Sequence, residues 1–254
     1  MGALHEGHAE LIRLARKSVG RSGTVVVSIF VNPLQFAPTE DLAAYPRPLA
    51  ADQKLCRTLG VDILFLPKAE SIIPSSSSVF VDEDGRLSSV LCGKSRHGHF
   101  RGVCTIVAKL FNIIQPDVAV FGEKDWQQLA IIRQMTRDLD FPLQIVACPV
   151  VRESDGLALS SRNKYLSSEE RAVAPRFHAA LTQAAQRRSP SGIRNEAIRL
   201  ITKIPGARID YVEVVDSDSL QAVKNLTCGA TLAAAVFLGK TRLIDNIQIA
   251  PATR

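Results

Sequence analysis

Short apolar runs rich in β-branched residues alternate with amphipathic stretches along the first 150 residues or so. The runs are predicted to be buried parallel strands, and they are Thr24–Val31, Asp62–Leu66, Val118–Phe121 and Leu143–Val151. Apolar residues at helical spacing occupy the stretches beside them, namely Glu10–Val19, Leu49–Leu59, Val103–Ile114 and Asp125–Leu139. Strands that alternate with helices predict an α/β domain with a parallel sheet. In such sheets ligands bind where the carboxyl ends of strands lead into helices.

The pattern changes after Leu166. Ser167, followed by two glutamates, predicts a helix N-cap with acidic residues in the first turn. A helical pattern continues to Arg188, and a second one follows the break at Ser189–Gly192. Two later apolar stretches are predicted as strands, Ile209–Val215 and Leu232–Leu238. Helices and strands in this arrangement predict a small α+β domain, so we expect two domains, over residues 1–163 and 164–254.

The amino-acid composition disfavours several classes of function. Hydrophobic residues make up 46% of the 254 residues and charged residues 22%, which is typical of a globular protein. The 31 basic and 25 acidic residues give a net charge of +6, but they form no long basic run, which disfavours nucleic-acid and membrane binding. Charge alone leaves open an ordinary basic surface or a site for an anionic substrate. The five cysteines lack C-x-x-C spacing, and no apolar stretch is long enough for a membrane helix or a signal peptide, so we expect a cytoplasmic protein with reduced thiols.

The first candidate site opens the chain. His5 and His8 are three residues apart with Gly7 between them, directly ahead of a predicted helix. The N–H groups and the dipole at a helix N-terminus favour an anion, and imidazole donors would add to that preference. The pattern therefore indicates a polyphosphate site, although two ordinary surface histidines are the alternative.

A second candidate follows the predicted strand Val118–Phe121. There Lys124 can neutralise a phosphate, Asp125 can hold Mg²⁺ and Gln128 offers an amide to a polar substrate. A charged helix N-terminus without any ligand explains the same residues equally well.

Three further segments carry polar side chains suited to anions. Ser160, Ser161 and Arg162 suit phosphate oxygens, or form a polar turn. Asn32 and Gln35 follow the predicted strand Thr24–Val31 and can orient a hydroxy acid, although Asn-Pro also caps turns. A last segment, Lys94–Gly102, contains three cations together with His97 and His99, and it predicts either a phosphate-facing loop or a solvated one.

Taken together, the candidates predict nucleotidyl transfer. Most of them lie at predicted strand-to-helix junctions and combine phosphate donors, one candidate Mg²⁺ carboxylate and neutral amides. The sequence contains no P-loop, no G-x-G-x-x-G and no Ser-His-Asp arrangement with an oxyanion signature. Hydrolysis, phosphoryl transfer by a Walker loop and redox chemistry are therefore disfavoured.

Ordered sequence blocks along nearly the whole chain resemble the pantoate–β-alanine ligase family of H-x-G-H nucleotidyltransferases. The blocks are MGALHEGH, VVVSIFVNPLQF, DLAAYPRPL, GHFRGVCTIVAKLFNIIQPD, FGEKDWQQLAIIRQM, VVRESDGLALSSRNKYLS and LGKTRLIDN. The resemblance implies a Rossmann-like domain with a smaller C-terminal α+β lid domain, and a cytoplasmic homodimer. It implies that pantoate attacks ATP with Mg²⁺ present to give pantoyl adenylate and pyrophosphate, and that β-alanine then displaces AMP to give pantothenate.

The resemblance also assigns residues. Catalytic roles fall on His8, His5, Lys124, Ser160 and Arg162. ATP contacts fall on Met1, Gly2, Ala3, Leu4, His5, Glu6, Gly7, His8, Gly122, Glu123, Lys124, Asp125, Val151, Leu159, Ser160, Ser161 and Arg162. Contacts to pantoate or β-alanine fall on Gln35, Gln128 and Asn32, and Asp125 is the metal ligand.

Some features depart from the family pattern. Trp126 replaces a commoner Tyr or Phe, and His97 stands where Pro is usual. Family members carry a strand and a helix ahead of the first motif, so we expect the first domain to be without its first strand and neighbouring strand edges to be exposed. Two other readings stay open at this point: a different H-x-G-H nucleotidyltransferase, or a truncated and inactive nucleotide-binding protein.

Overall fold

A computed structural model describes residues 1–36, 42–43 and 45–251, so Asp41 and Ala44 of the DLAAYPRPL block lie outside the described residues. The helices are α1 (Glu6–Val19), α2 (Leu49–Thr58), α3 (Ala69–Ile72), α4 (His99–Ile114), α5 (Trp126–Asp138), α6 (Ser168–Val173), α7 (Pro175–Ala184) and α8 (Pro190–Ile201). The strands are β1 (Val26–Ser28), β2 (Ile63–Phe65), β3 (Val118–Gly122), β4 (Gln144–Cys148), β5 (Ala207–Val215), β6 (Ala230–Leu238) and β7 (Thr241–Ile249).

The chain forms two compact units that interleave in sequence. The first comprises Met1–Asp84, Ser95–Glu123 and Ile131–Pro149. The second comprises Gly85–Lys94, Lys124–Ala130 and the chain from Val150 onward. The predicted boundary at residue 163 follows the chain rather than these units and stays a prediction.

The first unit contains parallel strands. β1 pairs with β2 and β3 with β4, as two separate two-stranded parallel sheets among the described residues. On the far edge of β1, the Met1 amine donates to the Ser28 carbonyl and the Phe30 N–H donates to the Met1 carbonyl. A small core of Ile12, Val25, Val27 and Cys56 packs α1 and α2 against β1.

Three of the parallel strands are shorter than predicted, and β2 is shorter by one residue at each end. β4 ends at Cys148 because the next residue, Pro149, has no N–H to continue the ladder. β1 is confined to Val26–Ser28, because the Val25 carbonyl accepts both the Asp62 and Ile63 N–H groups and leaves the regular register. The helix after β3 begins at Trp126, one residue later than predicted.

The second unit is an antiparallel sheet in the order β5-β6-β7. α7 and α8 cover one face, where Phe177, Leu181 and Ile193 pack on Leu232 and Leu238 of β6. The short 3-10 helix at residues 91–94 contacts β5 and β6. β6 is buried along almost its whole length, which fits its small and β-branched residues.

Two features of this unit differ from the prediction. The single helix expected after Ser167 is divided into α6 and α7, because Pro175 cannot donate a helical hydrogen bond. β7 was not predicted as a strand at all, although Gly239 and Lys240 form a two-residue connection between β6 and β7 and Gly239 has a φ of 55°. The fold class itself, parallel α/β followed by a smaller C-terminal α+β unit, is confirmed. No helix among the described residues has the length and apolar character needed to cross a membrane.

Candidate active site

The two histidines of the first motif cap α1. His5 is the N-cap, and its Nδ1 accepts the Gly7 N–H at 3.1 Å. The Nδ1 of His8 accepts the His5 N–H at 3.2 Å, and the two ring centroids are 4.1 Å apart. Because both Nδ1 atoms accept, a neutral imidazole at either position carries its proton on Nε2. The helix N-terminus therefore combines its own dipole with two imidazoles that can donate from Nε2, a chemistry suited to an anion.

A buried carboxylate that the sequence analysis missed fixes the residues ahead of this helix. Asp52 on α2 is 2% exposed, and its two oxygens accept the Ala3 N–H at 2.9 Å and the Leu4 N–H at 2.7 Å. Ala3 has a φ of 50°, a left-handed conformation that a residue with a Cβ adopts only when its surroundings impose it. Asp52 supplies that constraint on Ala3 from 49 residues away, beyond the range of a local motif.

Asn32 is used within its own segment. Its Oδ1 accepts the Leu34 N–H at 3.0 Å, and its Nδ2 donates to the Gly102 carbonyl at 3.0 Å. These bonds make Asn32 the N-cap of the 3-10 turn that carries Gln35. Asn32 therefore has the turn-capping role that the sequence offered as the alternative to contacting a hydroxy acid. A Cβ on Gly102 would lie 2.3 Å from the Leu34 carbonyl oxygen, so only glycine allows α4 to approach this turn.

The Lys94–Gly102 segment also supports Gln35. The Gln35 carbonyl accepts from His99 Nδ1 at 2.7 Å and from Arg96 at 3.2 Å. His97 is exposed. Among the described residues there is no group of three or more His, Cys, Asp or Glu side chains able to hold a metal. The segment therefore positions the Gln35 main chain.

The second motif follows β3. Gly122 ends the strand and Glu123–Asp125 form a single 3-10 turn before α5. Lys124 Nζ lies 3.7 Å from Asp125 Oδ2, and the two side chains are 23% and 50% exposed. Gln128 is half-buried and lies in the first turn of α5.

The residues between these charged groups and Gln128 are structural. Trp126 Nε1 donates to the Ser217 carbonyl at 3.0 Å. The Gln127 side chain is buried and hydrogen bonds to the main chain of Leu87, Val90 and Cys92. Lys124, Asp125 and Gln128 are therefore the side chains of this turn that suit a ligand.

The Val151–Arg162 segment folds back on itself. The Leu159 N–H donates to the Val151 carbonyl at 3.0 Å, and Arg152 forms an antiparallel bridge with Ala158. Ser160 caps the following 3-10 helix by accepting the Arg162 N–H at 3.2 Å, and Ser161 and Arg162 begin that helix. The hydroxyls and the guanidinium thus lie on one tight turn, which is the arrangement expected of a phosphate-binding loop.

The structure therefore places the predicted site residues in two groups. Residues 1–8, Asn32, Gln35, Gly122 and Glu123 belong to the first unit, and Lys124, Asp125, Gln128, Val151 and residues 159–162 belong to the second. Within each unit the predicted residues lie on capped helix ends and tight turns.

Comparison with known proteins points to the same family as the resemblance of the sequence blocks. The model of the pantoate-beta-alanine ligase family matches residues 1–248. Pantothenate synthetases of Moorella thermoacetica and Heliobacterium modesticaldum are 49% and 51% identical over 254 residues, covering 98% of this chain and 88% and 89% of theirs.

Solved structures point to the same family as these relatives. A pantothenate synthetase from Thermus thermophilus superposes with a TM-score of 0.95 at 43% identity, over 99% of this chain and 91% of that one. A pantoate-beta-alanine ligase from Francisella tularensis, complexed with beta-gamma ATP and beta-alanine, gives a TM-score of 0.80 at 35% identity, over 98% and 87%.

The fold and the histidine-capped helix define an enzyme of the H-x-G-H nucleotidyltransferase superfamily. Within that superfamily, the chain belongs to the pantoate-beta-alanine ligase family.

Proposed function

We propose that this chain joins pantoate to β-alanine at the expense of ATP, and that the predicted site residues carry out the reaction. A pantoate carboxylate oxygen attacks the α-phosphorus of ATP, the bond to pyrophosphate breaks, and pantoyl adenylate forms. The β-alanine nitrogen then attacks the acyl carbon, the bond to AMP breaks, and the nitrogen loses a proton. The observation that carries the proposal is the pair of histidines capping α1 in a chain of this family.

The main obstacle in the first step is electrostatic, since a carboxylate must approach a polyphosphate. In the first unit, the N-terminus of α1 and the Nε2 donors of His5 and His8 would take phosphate charge, with His8 as proton donor to the leaving group. The main chain of Met1, Gly2, Ala3, Leu4, Glu6 and Gly7 would line the nucleotide, held in shape by Asp52.

The second unit would supply further cations and hydroxyls. Lys124 and Arg162 are suited to the charge that develops on the α-phosphate and pyrophosphate, and Ser160 and Ser161 to its oxygens. Nucleotide contacts are also assigned to Gly122, Glu123, Val151 and Leu159, which lie on the same strand end and turn as these side chains.

A Mg²⁺ ion fits Asp125. Its carboxylate is half exposed, and Mg²⁺ in nucleotide sites takes one or two protein carboxylates with the remaining ligands from phosphates and water. When bound, the ion would neutralise phosphate charge. Asp125 would hold it, while the Lys124 ammonium 3.7 Å away limits how much negative charge the turn gathers without ATP.

Pantoate itself would be held by neutral groups. Gln35 and Gln128 can hydrogen bond a hydroxy acid without adding charge that opposes the phosphates. Asn32 would act by fixing the turn that carries Gln35, since its amide is already engaged there. We further propose that the chain is a cytoplasmic homodimer, and sedimentation of the purified protein tests the dimer.

Pantoate-dependent exchange of pyrophosphate into ATP is the test. We expect exchange that requires pantoate, and a more than tenfold loss in Lys124→Ala with an unchanged thermal midpoint. Lys203→Ala, a change at an exposed lysine of the second unit, is the control and should leave the rate unchanged.

Other outcomes discriminate between the alternatives. Exchange driven only by another acceptor would identify a different H-x-G-H nucleotidyltransferase. ATP binding without exchange would identify an inactive nucleotide-binding protein. Full exchange in Lys124→Ala would remove that residue from the mechanism.

A further inference from the structure

Two consecutive residues of β7 point to opposite faces of the antiparallel sheet. Successive side chains of a strand alternate between faces, so Asp245 lies on the face that carries Leu243 and Ile247, where α7 and α8 pack. Asn246 lies on the other face. Both side chains are buried, at 3% and 5% exposure, and both are polar, which is costly unless each is hydrogen bonded.

Asp245 receives a full set of donors. The two terminal guanidinium nitrogens of Arg152 donate to the carboxylate, Nη1 to Oδ2 at 2.7 Å and Nη2 to Oδ1 at 2.9 Å, and His178 Nδ1 lies 3.0 Å from Oδ2. The Asn246 N–H donates to Oδ1 at 2.8 Å. Burial alone opposes ionisation, but the contacts with His178 and Arg152 outweigh it and hold the pKa of Asp245 below its usual range. The acid is therefore a charged anchor at neutral pH.

This anchor holds the segment assigned to the nucleotide. Arg152 follows Val151 directly, and the same guanidinium donates to the Gly156 carbonyl at 3.2 Å, across the turn. Asp245 is 93 residues further along the chain, so the contact is a tertiary one that fixes the orientation of the turn leading to Leu159 and Arg162. Two parallel charge-assisted bonds define the direction of the guanidinium as well as its position.

Asn246 reaches the other nucleotide segment of this unit. Its Nδ2 donates to the main-chain carbonyl of Lys124 at 3.3 Å. Lys124 lies in the single 3-10 turn Glu123–Asp125, where the backbone has few regular hydrogen bonds to define its path. A donor from the sheet therefore fixes the backbone from which the Lys124 ammonium and the Asp125 carboxylate project.

We propose that Asp245 and Asn246 are positioning residues that align the two nucleotide-binding segments of the second unit from one strand. The proposal rests on the proposed function, since it takes Lys124 and the Val151–Arg162 segment as contacts of ATP. Neither side chain touches the reacting atoms in this scheme. Asp245 sets the turn that binds the nucleotide, so its loss acts on ATP affinity. Asn246 sets the backbone of Lys124, so its loss acts on the rate of adenylate formation.

The first test compares Asp245→Asn with Glu196→Gln. Glu196 is a matched control, because it is a buried carboxylate of the same unit held by two arginines, Arg187 and Arg199, that touch neither nucleotide segment. Both changes remove one charge at constant size. We expect Asp245→Asn to raise the KM for ATP in pantoate-dependent exchange about tenfold, with kcat within threefold of wild type. Glu196→Gln should leave both parameters within twofold.

The second test uses the pair Asn246→Ala and Asn246→Asp, of which the second is isosteric. Alanine removes the donor to the Lys124 carbonyl, while aspartate replaces that donor with a negative oxygen facing another oxygen. We expect kcat to fall about tenfold in Asn246→Ala and further in Asn246→Asp, with the KM for ATP within threefold. This pair decides the role of Asn246 even if Asp245→Asn fails to fold.

A role confined to stabilising the sheet predicts another pattern. It would lower the thermal midpoint and the active fraction of these variants while leaving unchanged both the KM for ATP of Asp245→Asn and the kcat per active site of the Asn246 variants, and that result would overturn the proposal. So would an Asn246→Asp variant as active as wild type. If wild type itself shows no pantoate-dependent exchange, the proposed function fails instead. ATP binding by calorimetry then still tests Asp245, and equal affinity in Asp245→Asn and wild type would overturn its assignment.

Discussion

Each unit of the molecule contains a buried aspartate that fixes a predicted nucleotide-binding segment, but the two aspartates use different donors. In the first unit, Asp52 accepts two main-chain N–H groups, from Ala3 and Leu4. In the second, Asp245 accepts mainly from the charged or ionisable side chains of Arg152 and His178. One carboxylate therefore shapes a backbone, and the other orients the Arg152 side chain, which projects from a distant turn.

This difference bears on how each site tolerates change. Main-chain donors survive every substitution except a change to proline, so the contact at Asp52 depends chiefly on one side chain. The contact at Asp245 is shared among several side chains, and breaking a buried ion pair leaves an uncompensated charge on the remaining partner. We expect the first unit to respond to loss of its aspartate through the shape of the motif, and the second through the alignment of its turns.

The largest effect is expected from Asp52→Ala. The change leaves the buried Ala3 N–H and the Leu4 N–H without their acceptor, at a cost of about 2–5 kcal/mol in unfolding free energy. No contact with Asp52 then holds Ala3 at its φ of 50°, so the residues before α1 should shift to a less strained backbone conformation. A displacement of about 1 Å at a catalytic segment can cost about a hundredfold in rate. We expect a loss of that order in pantoate-dependent exchange, measured together with urea unfolding.

Asp62→Ala is the matched control for this change. Asp62 belongs to the same unit and also accepts a main-chain N–H, from Val25 at 2.7 Å, while pairing with Arg16. Its side chain is 45% exposed, so water can replace the lost acceptor. Its removal should leave exchange activity within twofold of wild type. An Asp52→Ala enzyme that keeps full activity would show that the shape of the first motif does not depend on this carboxylate.

The contrast between the two aspartates also explains what the sequence could predict. The motif at His5 and His8 could be predicted from the sequence because its geometry is local: an N-cap and the first turn of a helix lie within four residues. The turn after β3 could be predicted for the same reason, since charged residues directly after a strand mark the carboxyl edge of a parallel sheet. Family resemblance then assigned these residues to ATP.

Tertiary supports were not predictable in this way. Asp52 is an ordinary acid in the first turn of α2, and only the folded chain brings it to Ala3. Asp245 lies on β7, a strand that was missed because its alternating pattern contains the charged and polar residues Arg242, Asp245 and Asn246 at positions that prove to be half-buried or buried. Buried polar residues break the apolar pattern on which strand prediction depends.

A smaller effect is expected from Gly102→Ala. The added Cβ would lie 2.3 Å from the Leu34 carbonyl oxygen, which is backbone and can give only by moving the turn that carries Gln35. Overpacking of this kind costs about 1–3 kcal/mol. Because the turn is assigned to pantoate, we expect the KM for pantoate to rise about tenfold while the KM for ATP stays within twofold, in steady-state assays at 25 °C.

Gly192→Ala provides the comparison for that change. Gly192 also lies in a helix, α8, but its Cβ would meet chiefly the hydroxyl of Ser189, the N-cap of α8, which can rotate away by giving up its hydrogen bond with the Gly192 N–H. Both Michaelis constants should stay at wild-type values in this variant. If Gly102→Ala left the KM for pantoate unchanged, the turn at Gln35 would not contact pantoate.

The last prediction concerns the labelling of thiols, which distinguishes the two units without changing the catalytic residues. Burial raises the pKa of Cys104 in the first unit to about 12, whereas Cys228 in the second unit is exposed. The thiolate is the reactive form, so at pH 8 a thiol reagent should label Cys228 at least a hundredfold faster than Cys104 in the native protein. Individual rates can be read by mass spectrometry of the digested protein.

The same thiols test whether the Asp52 contact acts only on its own unit. A thiol whose folded pKa is raised lends stability that is present below the unfolded pKa of about 8.5 and is lost as the pH rises above it. At pH 8, labelling of Cys104 therefore reports the opening of the first unit rather than ionisation in the folded state. Asp52→Ala should accelerate labelling of Cys104 and leave unchanged that of Cys92, a buried thiol of the second unit. Equal acceleration at these two buried thiols would mean that the units open together, and the difference between the two aspartates would then apply to catalysis but not to stability.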